Sequence, residues 1–254
     1  MRRFYVLPVL AIACAVATGT IEPVLAGQIN VAVAANFTEA AKEIAAAFES
    51  KTGNKVLLSF GSSGQFYTQI TQDAPFQILL SADQERPKKA IANGYAVPDS
   101  RFTYAIGKLV LWSRDPSVVK GAETLEQGNF AKIAIANPTV APYGASAIET
   151  MKALHVYDKL QAKVVQGNDI IQTYQFVDTG NAELGFIALS QIVAHTAGSR
   201  WIVPGNLYTP IKQDAVLLKK GADDEAAKAF MTFLHGPEAA AIEAKFGYGT
   251  PEAN

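Results

Sequence analysis

Two polar tracts in this chain stand where an apolar run gives way to an amphipathic one. Asn36-Phe37-Thr38 follows the apolar run 31–35 and precedes the segment 39–48, in which Ile44 and Phe48 fall at helical spacing. Gly61-Ser62-Ser63-Gly64 follows the run 56–60 and leads into Tyr67-Thr68-Gln69-Ile70. The first N–H groups of a helix have no intrahelical partner, and the helix dipole places about half a positive charge there, so such a corner suits an oxyanion. Each tract taken singly reads more readily as an ordinary helix cap than as a binding corner, because Ser, Thr and Asn begin helices everywhere. Two corners meeting at one point would hold a small anion.

The second half of the chain repeats the pattern. Asn137-Pro138-Thr139-Val140-Ala141-Pro142-Tyr143-Gly144 follows the run 132–136 and opens a segment with Ile148 and Met151 three apart. Pro142 fits the first helical turn, where its missing N–H costs nothing, and Tyr143 then offers a backbone N–H and a phenol. Gln166-Gly167-Asn168-Asp169-Ile170 follows the run 163–165 and precedes a helix through Tyr174 and Val177. Asn168 or Asp169 would cap that helix, and Ile170 would contribute only its N–H.

Catalytic patterns are weak by comparison. Gly61-Ser62-Ser63-Gly64-Gln65 lacks the final glycine of a nucleophile elbow, which leaves a secreted hydrolase as a poor alternative. His155, His195 and His235 share no metal-ligand spacing, and no phosphate-binding or dinucleotide-binding glycine motif follows a strand. Asp83 reads as the cap of a helix beginning near Glu85. An amino-acid receptor would need an arginine for the carboxylate and an acid for the amine, and the four corners carry no such pair. Trp112 and Trp201 read as core or hinge residues.

Composition sets the frame for these corners. Met1-Arg2-Arg3, an apolar run over 4–16 and Val24-Leu25-Ala26 before Gly27 form the pattern of an export signal, with cleavage expected after Ala26. Cys14, the only cysteine, lies in that segment behind Ala11-Ile12-Ala13, a poor match to a lipoprotein cleavage site. Without Arg2, Arg3 and Glu22, twenty basic and twenty-two acidic residues remain, a net charge of −2. Such a balance gives no electrostatic footprint for nucleic acid or an anionic membrane.

Strand-like runs at 29–34, 56–60, 76–80, 132–136, 163–165 and 184–187 alternate with helical ones, which predicts an α/β fold with mainly parallel sheets flanked by helices. The β-rich stretches 102–114 and 211–219 are expected to be paired crossovers between two lobes. The first lobe would then comprise 27–105 and 211–254, with two C-terminal helices packed back onto it, and the second lobe 106–210. In open α/β sheets ligands bind beyond the carboxyl ends of the strands, so the helix starts of both lobes would face one cleft.

With these residues in place the chain resembles a known family. Ala34-Ala35-Asn36-Phe37, Phe60-Gly61-Ser62-Ser63-Gly64, Ser81-Ala82-Asp83, Pro142-Tyr143-Gly144, Asn168-Asp169-Ile170 and Leu184-Gly185-Phe186 are similar, in this order, to the periplasmic molybdate-binding proteins of molybdate ABC importers. The resemblance implies a two-lobed type II periplasmic binding protein that is not an enzyme and needs no cofactor. Its ligand would be molybdate, with tungstate beside it, held by neutral hydrogen bonds through Asn36, Ser63, Tyr143 and Ile170 and with no protein atom on the metal. Asn36 and Ser63 would give side-chain and backbone donors, Tyr143 its N–H and hydroxyl, and Ile170 its N–H. One pattern of the family has a small residue at the position of Tyr143 and takes a tyrosine hydroxyl from the position of Ala188. Ala35 and Ser62 would flank the donors. The implied partners are a membrane permease and its ATPase, the implied compartment is the periplasm, and a monomer suits a diffusing receptor. Sulfate is the alternative ligand.

Overall fold

The computed structural model describes Met1 and residues 27–251, so the export-signal reading and Cys14 lie outside the described residues. From the N-terminal side the chain forms β1 (Gln28–Ala34), α1 (Thr38–Thr52), β2 (Lys55–Gly61), α2 (Ser63–Thr71), β3 (Ile78–Leu80), α3 (Glu85–Ala92) and β4 (Phe102–Gly107). Then come β5 (Leu109–Ser113), α4 (Glu123–Gln127), β6 (Ile133–Ala136), α5 (Pro142–Ala153), α6 (Tyr157–Leu160), β7 (Val164–Gly167), α7 (Ile170–Asp178), β8 (Leu184–Ala188) and β9 (Ser199–Ile202). The chain returns through β10 (Ile211–Leu217) to α8 (Glu225–Leu234) and α9 (Pro237–Lys245).

These strands form two five-stranded sheets, ordered β2-β1-β3-β10-β4 and β7-β6-β8-β5-β9. Each sheet is mixed rather than mainly parallel. β1 runs parallel to β2 and β3, while β10 is antiparallel to β3 and β4. Likewise β6 runs parallel to β7 and β8, while β5 is antiparallel to β8 and β9. The alternation of strands and helices reports only the βα units; the strands that carry the chain between sheets enter antiparallel. The stretch 102–114 is accordingly two strands, β4 in one sheet and β5 in the other, parted at Lys108. β9 was not anticipated, and β3 begins two residues later than the run 76–80.

Local chemistry sets the helix ends. Gly53 closes α1 at φ +74, where its N–H donates to the Glu49 carbonyl; a side chain there would strain the left-handed backbone. Asp224 caps α8 by accepting from the N–H groups of Ala226 and Ala227. Pro142 and Pro237 occupy first-turn positions of α5 and α9. The helices then cover both faces of each sheet. Phe48 of α1 meets Phe230 of α8 edge-on at 5.2 Å between ring centres, against Ile29, Val31 and Val33 of β1. On the opposite face Phe66 and Ile70 of α2 pack with Leu79 and Val216. In the second sheet Leu109, Ile133, Leu184 and Phe186 pack with Ala147 and Met151 of α5.

One buried carboxyl makes stability depend on pH. Glu243 of α9 is 5 % exposed, its Oε1 has no hydrogen-bond partner, and burial pushes its carboxyl up from 4.5 to about 8. The folded state therefore favours the protonated form. Its contribution is fully present below the unfolded value and is lost as pH rises through the folded one, a slope of about 1.4 kcal/mol per pH unit in that window. Thermal unfolding at pH 5 and pH 8 should show the native chain less stable at pH 8 by this route. In Glu243→Gln that difference should shrink, with the gain appearing at pH 8.

Candidate functional site

The carboxyl ends of β1, β2, β6 and β7 each run into a helix start, and these starts line one small cavity between the two sheets. Asn36 sits in the 3-10 turn Ala35–Phe37 after β1 and is 4 % exposed. Ser63, the first residue of α2, is 1 % exposed; Tyr143, at the second position of α5, 2 %; and Ile170, the first residue of α7, 3 %. The fold thus brings together all four residues singled out in the sequence. Asp169 is the residue that caps α7, its Oδ1 accepting from the Gln172 N–H at 2.9 Å. Ala188 ends β8 and is fully buried.

The side chains divide into two groups. Ser63 Oγ accepts the Ala82 N–H at 2.9 Å, which leaves its own proton to donate elsewhere. Ser62 is 3 % exposed and lines the cavity, and although it stands at the cap position of α2 its Oγ has no hydrogen-bond partner. A buried hydroxyl left unmatched costs about 1–3 kcal/mol, so this group is primed for an incoming acceptor. Sequence reasoning placed Ser62 only beside the donors, because a serine at a helix start normally caps it.

Asn36 and Tyr143 line the same cavity and join their polar ends in a buried hydrogen-bond network. Asn36 Nδ2 donates to Gln213 Oε1 at 2.7 Å and to the Tyr248 hydroxyl at 3.1 Å. The Tyr143 hydroxyl donates to the same Gln213 Oε1 at 3.3 Å, and the Tyr248 hydroxyl donates to the Asn36 carbonyl at 2.7 Å. The expected side-chain donors of Asn36 and Tyr143 are thus engaged with protein groups in this structure. Burial pushes the phenols of Tyr104 and Tyr143 well above their ordinary value, so they remain neutral.

Around the mouth the two halves touch directly. The Gly64 N–H donates to the Val140 carbonyl at 2.9 Å, Arg86 pairs with Asp83 and donates to the Thr139 carbonyl at 3.1 Å, and Ser190 Oγ donates to the Asn36 carbonyl at 2.8 Å. Among the described residues the cavity lining includes no lysine or arginine. A larger open groove of about 480 Å³, lined by Pro138, Ile148, Glu149 and Tyr157, lies along the side of α5 and lacks converging helix starts.

A family model described as bacterial extracellular solute-binding protein matches residues 29–249. The chain belongs to this family. As a solute-binding protein it is a receptor, not a catalyst. It is 57 % identical over 240 residues to the molybdate-binding protein ModA of Rhodobacter capsulatus, covering 94 % of this chain and 95 % of that one. Identity to ModA of Azotobacter vinelandii is 50 % over 229 residues, 88 % of this chain and 90 % of the relative. The solved periplasmic molybdate-binding protein of Azotobacter vinelandii superposes with a TM-score of 0.85 at 41 % identity, over 88 % of this chain and 100 % of that one. At 12 % identity and TM-score 0.74, the sulfate-binding protein SubI of Mycobacterium tuberculosis shares the fold, covering 89 % of this chain and 88 % of that one.

Two variants separate closure of this solute-binding protein from its folding. A Cβ on Gly64 would stand 2.8 Å from Val140 Cα, whereas its helical position otherwise favours alanine by about 1 kcal/mol. Gly64→Ala should leave the melting temperature without ligand unchanged or raised, while lowering ligand affinity at least about tenfold as closure is blocked. Ser62→Ala should likewise not lower the ligand-free melting temperature, because an unmatched buried hydroxyl is removed, yet should weaken binding by about tenfold or more, as measured by calorimetric titration.

Proposed function

We propose that this protein captures molybdate, and tungstate with it, in the periplasm and presents it in closed form to the permease of an ABC importer, whose ATPase supplies the energy. The observation that carries this reading is the meeting of four helix starts, two from each sheet, on one cavity lined without lysine or arginine, in a chain so similar to molybdate-binding proteins. We assign the oxyanion to Asn36, Ser63, Tyr143 and Ile170, with Asn36, Tyr143 and Ile170 acting through backbone N–H groups and Ser63 through its hydroxyl. We take the lobes to divide near 106 and 210, so that the first lobe comprises 27–105 with 211 onward, and closure bends the two connections. The receptor acts as a monomer.

Neutral donors suffice for this task. A hydrogen bond to a charged partner is worth about 1.5–3 kcal/mol, so roughly six of them supply on the order of 10 kcal/mol before desolvation and closure are subtracted. Fixed donors also favour an ion without protons of its own. Asp169, the carboxylate in the lining, accepts the Gln172 N–H through Oδ1 and so caps α7. Phosphate is thereby disfavoured, and sulfate is separated from molybdate by size.

Calorimetric titration of the ligand-stripped chain from Gly27 onward tests the proposal. Molybdate and tungstate should bind one to one with micromolar affinity or better, sulfate at least about a hundredfold more weakly, and phosphate not measurably. Preference for sulfate would keep the fold and replace the ligand; absence of oxyanion binding would overturn the site.

A further inference from the structure

Gln213 is completely buried, and side chains from both halves of the site hydrogen-bond to it, beside a longer direct contact of 3.5 Å from Asn36 Nδ2 to the Tyr143 hydroxyl. It lies on β10, the strand by which the chain returns to the first sheet, at a register shift between Gln213 and Asp214 in the pairing with β4. Bulges of this kind occur next to binding sites, where they re-aim a side chain. Here the shift serves two successive buried residues. Asp214 pairs with Arg101 and accepts from Thr103 Oγ1 at 2.7 Å, while Gln213 joins the buried network of Asn36 and Tyr143.

Every polar atom of the Gln213 side chain is used. Its Oε1 accepts from Asn36 Nδ2 at 2.7 Å and from the Tyr143 hydroxyl at 3.3 Å, and its Nε2 donates to the Tyr104 hydroxyl at 3.1 Å. Tyr104 in turn donates to the Ser81 carbonyl. Asn36 follows β1 of the first sheet; Tyr143 begins α5 beside the second. One carbonyl oxygen therefore ties together two helix starts that belong to opposite lobes. The chain also makes room for this arrangement: a Cβ on Gly107, where β4 ends, would overlap the Tyr143 hydroxyl and stand 2.9 Å from its Cζ.

We infer that Gln213 is a positioning residue for oxyanion capture, holding the Asn36 and Tyr143 corners at a fixed separation when the lobes close, with Gly107 admitting the phenol to that bond. This rests on the function proposed above. Opening the lobes withdraws Tyr143 from Gln213, so the bond is specific to the closed state, and its loss should appear as faster ligand release. The Tyr143 hydroxyl then acts through Gln213 and not by direct contact with the anion.

A double-mutant cycle on molybdate binding decides the matter, with wild-type binding as the control that tests the proposed function by itself. Tyr143→Phe and Gln213→Met should each weaken affinity about tenfold, mainly through dissociation rate, and the double variant should lose little more than the worse single. Losses that multiply in the double variant would overturn the inference, because the hydroxyl would then reach the anion independently of Gln213; so would wild-type affinity in Gln213→Met. Should Gln213→Met not fold, Gly107→Ala perturbs the same bond from outside. It should weaken binding about tenfold in the native background and by clearly less in Tyr143→Phe. An equal loss in both backgrounds, or none in either, would overturn the inference.

Discussion

A backbone N–H at the start of a helix has no acceptor within that helix, and the packing of βα units carries it to the carboxyl edge of the sheet. This constraint organises the molecule. β1, β2, β6 and β7 each end at such an edge, and the two sheets face each other so that four helix starts reach one cavity. The partial charges there would be worth little in water. Their effect depends on exclusion of solvent; the neighbouring contacts of Gly64 with Val140 and of Arg86 with Thr139 join the two halves at the mouth.

Closure also explains why the connections matter as much as the corners. β4 and β5 are separated by Lys108 alone, so the chain passes from one sheet to the other within a residue. β10 brings it back carrying Gln213 between the corners, and Tyr248 follows α9 to brace Asn36 from behind. The connections between the sheets are thus lined by side chains that hydrogen-bond to the corners. A site on a single rigid sheet would bind with less reorganisation, but it would lack the change of shape by which a loaded receptor differs from an empty one.

What could be read in the sequence follows from the range of the interactions concerned. Strand-to-helix corners are local, so the four corners were recognisable from a few neighbours each, whereas the choice of Asn36, Ser63, Tyr143 and above all Ile170 within them came from the family resemblance. The mixed character of the sheets was not, since the antiparallel pairing of β10 with β3 joins Ala215 to Leu80, far apart in the chain. Gln213 and Tyr248 were missed for the same reason: they reach Asn36 across 177 and 212 residues, and a glutamine in an apolar strand carries no local mark of its role. Ser62 was seen but undervalued. Its type and position spell a cap, and only the three-dimensional arrangement shows the hydroxyl unmatched at the cavity.

A cavity lining without lysine or arginine has a selective consequence. A lysine or arginine at the cavity would attract every small anion, raising affinity for sulfate and phosphate together with the intended ligand. Donors fixed on helix starts respond instead to the positions of four oxygens, so discrimination comes from geometry. That in turn requires the donors to be held more rigidly than a flexible cation would be. The buried phenols of Tyr104 and Tyr143, neutral because burial opposes their ionisation, supply this rigidity without adding a charge that would pull on the anion or repel it. Asp214, the carboxylate next in sequence to Gln213, has its charge matched by Arg101 instead of being left to act on the cavity. Separation of the buried charges from the buried dipoles is what the proposed mode of binding requires if modest individual bonds are to give both affinity and discrimination.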